Sequence, residues 1–493
     1  MERPASRVMI EAGDVVQEVA NTSLAVIKTA QLTPRASGRI IMLPGDQRLK
    51  PKAQHPRCAA YGKGQSMKLF ATDVFTPNQF PEYTYIDRPK EDLERKLRQA
   101  LETPNVLVSI SGPSKSGKTV LAKKLVGEGN IIHIFGAEVG SGSDLWTRVL
   151  DWMDVPSATI EQASESRANR AGGEVGAKGS IFVAEASGKA SFDTTGTKSS
   201  STSTTNTSSG LSRVVREIAK SDFVVFLDDF HYIPVEAQSD VARQLKAAGE
   251  QSVRICTATV PHRADNVVRN NPELRGRLAQ VDTTFWTAPE LQEIAKAGFA
   301  KLQSRLAPVK MMDIAQEACG SPQLMQRICL DVCFSLDVRK EFEHPTNIDF
   351  TPQQLQGILQ QSSTHSDFGT MVANMHQGPK KRGSERRIHK LIDGSVGDVY
   401  RVVLSALAHG EPVMELPYPD LMERIQSVCV GDGPAASSVV PTCRQIAAIA
   451  KRIAPTERVL EWDDQELTGT MSVVDPYFLF YLRRSKKLDT LAG

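Results

Sequence analysis

The sequence lacks a long uncharged apolar run. A membrane-spanning helix needs about 20 predominantly apolar residues, and no uncharged apolar stretch approaches that length. The N-terminal residues mix charged side chains with apolar ones, so they lack the continuous apolar core of a signal peptide. We therefore expect no membrane span, no signal peptide and a cytoplasmic location.

An excess of one charge is also absent. Lys and Arg number 59, and Asp and Glu number 57, among the 493 residues. Proteins that attract nucleic acid through their overall charge are strongly basic. A DNA-binding role for this chain would therefore have to rest on a local patch.

Cysteines are few, and none of them is placed as a zinc ligand would be. The seven cysteines are scattered, and no two pairs of them stand at metal-ligand spacing. Structural disulfides are rare in reducing compartments. We expect these cysteines to be reduced thiols, most of which fill the core.

The sequence does contain a regular alternation of short apolar runs and helical stretches. The apolar runs are rich in β-branched residues and are bounded by turn residues, and they are NVLVSIS (105–111), IIHIF (131–135), FVVFL (223–227) and VRICT (253–257). This alternation predicts an α/β fold, in which a parallel sheet carries helices on both faces.

Two helices of this region have recognisable starting signals. Leu93, Leu97 and Leu101 recur every four residues on one face of a helix that Asp87 is placed to cap. The stretch SDLWTRVLDWM (143–153) predicts a second helix, with Ser143 or Asp144 as its cap.

The chain divides into five expected regions. They are an N-terminal accessory region (1–75), an α/β core (76–288), a helical lid subdomain (289–345), a polar linker (346–390) and a C-terminal domain (391–493). An insertion at 157–210 interrupts the core. Its first part could form β-hairpins, and its Ser/Thr-rich part (194–210) predicts a flexible linker. An insertion without chemistry and a hairpin that contacts a partner both fit this composition.

A glycine-rich loop follows the first strand and precedes a helix. Gly112 and Gly117 allow backbone N–H groups to approach phosphate oxygens closely, and the helix N-terminus adds partial positive charge. Lys118 can reach the β- and γ-phosphates, and the Thr119 hydroxyl can bind Mg²⁺. We expect the whole loop to bind ATP, through Gly112, Pro113, Ser114, Lys115, Ser116, Gly117, Lys118 and Thr119.

Two aspartates end the strand FVVFL. ATP hydrolysis needs one carboxylate to anchor Mg²⁺ and another to orient the attacking water, both beside the phosphate loop. We assign the first role to Asp228 and the second to Asp229. Since alternate side chains of a strand point to opposite faces, we expect the two to point apart. The alternative for Asp229 is that it caps the next helix.

Candidate sensor residues follow the next strand. Thr257, or else Thr259, would place a hydroxyl near the γ-phosphate, although strand-end hydroxyls are often satisfied by backbone instead. Four arginines then occur within 261–278, and of these Arg277, followed by Arg275, is our candidate for stabilising charge on a neighbouring subunit's phosphate. A solvated face or intramolecular ion pairs are the alternative.

These motifs resemble those of the AAA+/STAND superclass of P-loop ATPases, over about residues 80–335. IDRPKEDLERKL (86–97) resembles the motif that precedes the nucleotide core, and it implies that Arg88 lies near the nucleotide. FLDDF resembles the acidic strand end. CGSPQLMQRIC (319–329) resembles the Gly-x-Pro motif of the helical subdomain, with Pro322 at the nucleotide and Arg327 as a candidate second sensor. ELRGRL (273–278) resembles an arginine box.

The C-terminal hundred residues predict three helices followed by two strands, the outline of a winged helix. Its third helix exposes Arg444, Lys451 and Arg452, and the cluster KKRGSERRIHK (380–390) is basic. DNA binding and protein contact both fit such a domain. The ending VVDPYFLFYLRRSKK (473–487) resembles the tail of bacterial and archaeal STAND-type ATPases.

The resemblance implies an ATP-hydrolysing switch that oligomerises on ATP and signals to a partner protein or DNA. Antiphage defence is one setting that fits this mechanism. The alternative is an ATP-regulated DNA-binding protein that acts through the winged helix in transposition, replication or transcription. A small-molecule kinase is disfavoured by the arginine box and the lid-like segment.

Overall fold

A five-stranded parallel sheet forms the centre of the nucleotide-binding half. The computed structural model describes residues 68–88, 91–155, 202–260, 276–379, 385–464 and 469–491, which belong to one compact unit (64–493). The strands are β1 (Leu107–Ser111), β2 (Ile131–Phe135), β3 (Val224–Asp228), β4 (Arg254–Thr259) and β5 (Leu278–Asp282). Their order is β2-β3-β4-β1-β5, and every pair is parallel.

The strand order decides which side chains meet. The carboxyl ends of parallel strands lie at one edge of the sheet, so the loop after β1 and the aspartates that end β3 share that edge. β4 lies between them, and Ser111 of β1 is level with Thr259 of β4. The expectation that the strand at 253–257 neighbours the acidic strand is confirmed, because β3 pairs with β4.

Helices cover both faces of the sheet, as expected. The first six are α1 (Ala71–Val74), α2 (Leu93–Glu102), α3 (Lys118–Val126), α4 (Gly142–Trp152), α5 (Thr202–Ile218) and α6 (Val235–Glu250). α2 and α3 pack with Val224 and Phe226 of β3 on one face. α4, α5 and α6 pack with Val225 and Leu227 on the other. The alternation of these four residues is the period of a strand that is buried on both sides.

Three boundary predictions are wrong. α2 begins at Leu93, and Asp92 rather than Asp87 precedes it, in a left-handed conformation and without a side-chain cap. α4 is capped by Ser141, whose hydroxyl accepts from the Asp144 N–H. Residues 202–210 continue α5 instead of forming a linker. The remainder of the insertion and residues 261–275 lie outside the described residues.

The lid subdomain consists of helices that pack on α1. They are α7 (Ala288–Lys301), α8 (Pro308–Glu317) and α9 (Pro322–Ser335), and a short parallel pair, β6 (Ser304–Arg305) with β7 (Thr346–Asn347), lies beside them. Phe75, next to α1, packs edge-on against Phe299 at 5.2 Å between ring centroids. Residues 71–75 therefore pack with the lid, which corrects the expected boundary of the accessory region.

The segment 346–390 is not merely a polar linker. It forms α10 (Pro352–Ser363) and α11 (Gly369–Gln377). Ile358 of α10 and Met375 of α11 are buried in the same core as the lid. The prediction failed because these helices are short and bury only a narrow apolar stripe under a polar exterior.

The C-terminal region has the three helices and two strands that its sequence predicts. In chain order its elements are β8 (His389–Lys390), β9 (Val396–Gly397), α12 (Val399–Ala408), β10 (Glu415–Pro417), α13 (Tyr418–Val428), α14 (Ala436–Ile453), β11 (Leu460–Asp463), β12 (Thr470–Val473) and α15 (Pro476–Arg484). β10, β12 and β11 form a three-stranded antiparallel sheet. A single hydrophobic core joins this region to the lid.

The cysteines agree with the expectation of reduced thiols that fill the core. Six of the seven cysteines lie in the described part of the chain, and all six are buried free thiols. Burial raises the pKa of Cys256, Cys319 and Cys443, so these thiols are poor nucleophiles. Within the described ranges, no helix combines the length and the apolar character that a bilayer crossing requires.

Candidate functional site: a phosphate-binding loop facing an acidic strand end

The loop at 112–119 curls over the end of β1 and is tied to its neighbours. The N–H of Gly112 donates to the Thr259 carbonyl at 3.2 Å. A Cβ at position 112 would lie 1.7 Å from Thr283 Oγ1, so only glycine fits there. Gly117 has φ +97° and directly precedes α3. Because a left-handed residue is easiest for glycine, Gly117 allows the turn that leads from the loop into α3.

Lys118 lies inside this loop. Its ammonium donates to the carbonyls of Gly112 at 2.9 Å and Pro113 at 2.7 Å, and the residue is only 7% exposed. A buried positive charge surrounded by loop backbone at a helix N-terminus is an arrangement suited to a polyphosphate. The placement fits the role that the sequence predicts for Lys118.

Asp228 joins the loop to the acidic strand end. Its Oδ2 accepts from the Thr119 hydroxyl at 2.6 Å and lies 3.1 Å from His133 Nε2. Burial acts to raise the pKa of Asp228, but the hydrogen bonds from His133 and Thr119 and the nearby positive charges hold it below the ordinary value. The carboxylate is therefore ionised and oriented.

Asp229 does not point away from Asp228 as expected. β3 ends at Asp228, and Asp229 takes a left-handed conformation with φ +52°, so the strand alternation no longer applies. Both aspartates line one cavity. Asp229 makes no capping bond to the following turn, which removes the support for the capping alternative. Burial, followed by the charge of Asp228, raises the pKa of Asp229 to about 6.

The residues present fit a magnesium ion. Mg²⁺ prefers hard oxygen ligands and keeps waters and substrate phosphates in its shell. Thr119 and Asp228 offer a hydroxyl and an ionised carboxylate within hydrogen-bonding distance of each other. Among the described residues, no group of three or more His, Cys, Asp or Glu could hold a metal. Two protein oxygens leave places in the shell of Mg²⁺ for waters and for a phosphate ligand.

The cavity beside the loop has a volume of about 490 Å³, within the range of about 300–1,000 Å³ that small-molecule sites occupy. Its lining residues form three walls. The loop and both aspartates form one wall, the segment 76–88 forms another, and Pro322 and Gln326 of α9 form the third. Pro322, the first residue of α9, lies near Gly117, and its contact with the nucleotide stays a prediction.

Arg88 lines the same cavity, but its guanidinium is occupied. It pairs with Glu91 at 2.6 Å and Glu290 at 3.2 Å, donates to the Thr284 carbonyl, and lies over the Trp286 ring. The side chain is 5% exposed. In this structure Arg88 fastens the segment before α2 to the base of the lid.

Thr257 is not brought to the loop. It lies two residues before the end of β4, fully buried, and its hydroxyl donates to the Val108 carbonyl at 3.4 Å. The Thr257 hydroxyl is thus satisfied by backbone, which is the alternative that the sequence left open. Thr259 lies at the strand end, level with Ser111, and its carbonyl holds Gly112. Of the two threonines, Thr259 is therefore the one at the height of the loop.

Arg277 lies at the opposite edge of the sheet from the loop. It directly precedes β5, its carbonyl accepts from the Leu107 N–H at the start of β1, and its side chain pairs with Glu250. The ion pair is the alternative that the sequence left open, and the role in a neighbouring subunit stays a prediction. Arg327 faces Asp331 at 3.8 Å and does not line the cavity.

Sequence reasoning missed three residues of the site. His133 contacts Asp228 from the neighbouring strand, and the register of β2 against β3 was the only signal for it. Trp286 donates from Nε1 to the Ser116 carbonyl at 2.9 Å. Asp475, far along the chain, pairs with Lys115 of the loop, and no local pattern could indicate that contact.

The sheet and loop define the class of fold. A parallel sheet flanked by helices, with a Gly-x-x-x-x-Gly-Lys-Thr loop between its first strand and the next helix, is the fold of P-loop nucleoside triphosphatases. No protein-family model matches the sequence, and no curated protein matches it.

Several solved structures are similar to the chain. A Walker-type ATPase of Pyrococcus abyssi is 14% identical over 83% of this chain and 99% of its own, with a TM-score of 0.46. The ORC2 protein of Aeropyrum pernix is 12% identical over 84% and 97%, with a TM-score of 0.43. Cdc6p of Pyrobaculum aerophilum is 15% identical over 85% and 98%, with a TM-score of 0.36. Similarities this distant do not bear on function, which we argue from the site itself.

Proposed function

We propose that this chain is a magnesium-dependent ATPase that works as a conformational switch of the AAA+ type. The observation that carries the proposal is the 2.6 Å hydrogen bond between Thr119 and Asp228. This bond joins α3, the helix after the phosphate loop, to the end of β3, where the two carboxylates lie. Nucleotide binding alone needs the loop, whereas hydrolysis needs both parts.

Each group of residues in the site has a separate proposed role in hydrolysis. The backbone of the loop, the start of α3 and Lys118 bind the phosphates and meet the negative charge that develops on them. Thr119 and Asp228 would hold Mg²⁺, which supplies charge neutralisation when bound. Asp229 faces the same cavity, and its pKa of about 6 makes it a stronger base than a free aspartate at neutral pH. We assign it to orienting the attacking water.

The lid and the C-terminal region supply the moving parts of the proposed switch. Pro322 of the lid lines the nucleotide cavity, so closure of the lid would respond to what the cavity contains. The three helices and antiparallel strands after residue 398 support a winged-helix assignment for the C-terminal domain. Oligomerisation on ATP and output to a partner protein, as in STAND-type switches, complete the proposal, and antiphage defence is one setting that it fits.

The surface of the C-terminal domain favours the switch over DNA binding as the primary role. On α14, Arg444 is paired with Asp464 through three hydrogen bonds of 3.0–3.1 Å. In the basic segment, Arg386 is paired with Asp398 at 2.7 Å. An arginine that is already paired with a carboxylate is less available to neutralise a DNA phosphate, so it releases fewer of the counterions that drive DNA binding. Among the described residues of α14 and of the basic segment, Arg387, Lys390, Lys451 and Arg452 remain exposed, which is a small footprint for a duplex.

ATP binding and turnover by three variants test the proposal. Lys118→Ala should weaken ATP binding by at least about tenfold, because it removes a charged hydrogen-bond donor. Asp229→Asn should bind ATP normally but hydrolyse it about 10²-fold more slowly or worse. Lys96→Ala, an exposed lysine on α2, is the control and should match the wild type. Equal turnover in all four proteins would refute the proposal.

A further inference from the structure

Lys115 connects the phosphate loop to the C-terminal domain. It lies in the middle of the loop, lines the nucleotide cavity and has φ +59°. Its ammonium pairs with Asp475 at 2.8 Å and lies 4.9 Å from the centroid of the Tyr477 ring. The side chains of Lys115 and Asp475 are 30% and 14% exposed. Two groups from the first turn of α15 thus hold one loop side chain.

The backbone of the same residue is held by the lid. The Ser321 hydroxyl, which also caps α9, donates to the Lys115 carbonyl at 3.3 Å. Lys115 is therefore a meeting point of the loop, the lid and the C-terminal domain. A change in the position of Lys115 would therefore alter contacts with the loop, the lid and the C-terminal domain.

The far end of α15 is fixed independently of the loop. Arg484 donates from Nε to Glu317 of α8 at 2.7 Å, and Arg483 lies 3.4 Å from the same carboxylate. Arg483 is 6%, Glu317 13% and Arg484 27% exposed, so the cluster is largely shielded from water. α15 is thus held by the lid at its C-terminal end and by the phosphate loop at its N-terminal end.

The loop contact pairs a carboxylate with a lysine that lines the nucleotide cavity. Asp475 neutralises Lys115 and adds a negative charge next to a cavity whose ligand carries several negative charges. Like charges at a shared site disfavour each other, and two ligands of one cation compete for it. Coupling between two binding events is reciprocal. If the contact between Lys115 and Asp475 weakens phosphate binding, bound phosphate weakens that contact by the same factor.

We propose that the N-terminal turn of α15 is a latch that competes with nucleotide phosphates for Lys115. Without nucleotide, Asp475 and Tyr477 hold the C-terminal domain against the loop. Nucleotide binding draws the Lys115 ammonium towards the phosphates and releases the turn, while Glu317 keeps the other end of α15 on the lid. This inference rests on the proposed function and names how the same site is coupled to the rest of the chain.

Asp475→Asn is the sharpest test, because it removes the charge and keeps the helix cap. Asp475 Oδ1 accepts from the Tyr477 N–H at 2.8 Å, and asparagine caps helices as well as aspartate does. We expect the full-length variant to bind a fluorescent ATP analogue about 5- to 20-fold more tightly than the wild type, at the low end of measured couplings because the pair is partly exposed. Asp475→Ser, a second neutral cap, should behave in the same way.

Asp398→Asn provides a matched control. Asp398 also caps a helix of the C-terminal domain and pairs with an arginine, Arg386, at 2.7 Å, but Arg386, unlike Lys115, does not line the nucleotide cavity. Its variant should bind the analogue as the wild type does. Equal tightening in Asp398→Asn and Asp475→Asn would assign the effect to general loosening of the domain and would overturn the latch.

Hydrogen exchange on the wild-type chain gives a readout that needs no mutation. Amides of residues 477–480 should exchange faster when a non-hydrolysable ATP analogue is bound, and those near Arg484 should not. Unchanged exchange at 477–480, or unchanged or weaker binding by Asp475→Asn while the wild type binds nucleotide, would overturn the latch alone. Failure of the wild type to bind any nucleotide would overturn the proposed function and the latch with it.

Discussion

Replacing Gly112 by alanine tests the geometry of the loop most severely. The added Cβ would lie 1.7 Å from Thr283 Oγ1 and 2.8 Å from the Thr283 carbonyl oxygen, where ordinary contacts begin at 3.4 Å. Overpacking of this kind costs about 1–3 kcal/mol. Moving Thr283 also breaks its 3.1 Å hydroxyl contact with Ser116, which adds about 1 kcal/mol. The expected loss of unfolding free energy is about 2–4 kcal/mol.

The control for this substitution is Gly129→Ala. Gly129 lies in an exposed turn with nothing within 4 Å of the added Cβ, so alanine there should be neutral or stabilising by up to about 1 kcal/mol. Urea unfolding of both variants, with the m-value checked against the wild type, measures the difference. Gly112→Ala should also lose most of its affinity for ATP. Equal urea midpoints for the two variants would refute the packing that we describe at the base of the loop.

Two further substitutions probe the acidic strand end. Because the pKa of Asp229 is raised to about 6 from about 3.9 in unfolded chains, its ionisation costs folded-state stability as pH rises through 6. Asp229→Asn should therefore stabilise the nucleotide-free protein in EDTA by about 1–2 kcal/mol at pH 8, after a discount for solvent access, and by nothing at pH 4. Equal effects at both pH values in thermal or urea unfolding would contradict this. His133→Leu removes the contact that orients Asp228 and should raise the Mg²⁺ concentration needed for ATP turnover by about 10- to 100-fold. His133→Gln, which keeps a donor, should recover most of that loss, and a magnesium titration in which the two variants coincide would deny His133 a positioning role.

The parts of the site that could be predicted are those in which chemistry and sequence are local. The loop, the strand before it and the aspartate pair each occupy a few consecutive residues, so turn residues, β-branched runs and helix starts were enough to place them. The sheet followed because short strands alternating with helices close in very few ways.

What could not be predicted depends on contacts across the chain or on single backbone angles. Asp229 faces the cavity because it leaves the strand in a left-handed conformation, which overrides the alternation assumed for it. The pairing of Lys115 with Asp475 joins residues 360 positions apart. α10 and α11 were not predicted because their sequences are mostly polar. Their few apolar residues are buried in the core that the lid shares with the C-terminal domain, and no local pattern indicates that core.

The central claim is that loop 112–119 and Asp228 form one site for ATP and magnesium. An equilibrium titration of the full-length protein with a fluorescent ATP analogue, with Mg²⁺ and with EDTA, tests it most directly. We expect saturable binding that Mg²⁺ strengthens in the wild type, binding weakened by at least about tenfold in Lys118→Ala, and loss of the Mg²⁺ effect in Asp228→Asn. Binding that is the same in all three proteins, with or without Mg²⁺, would contradict the account.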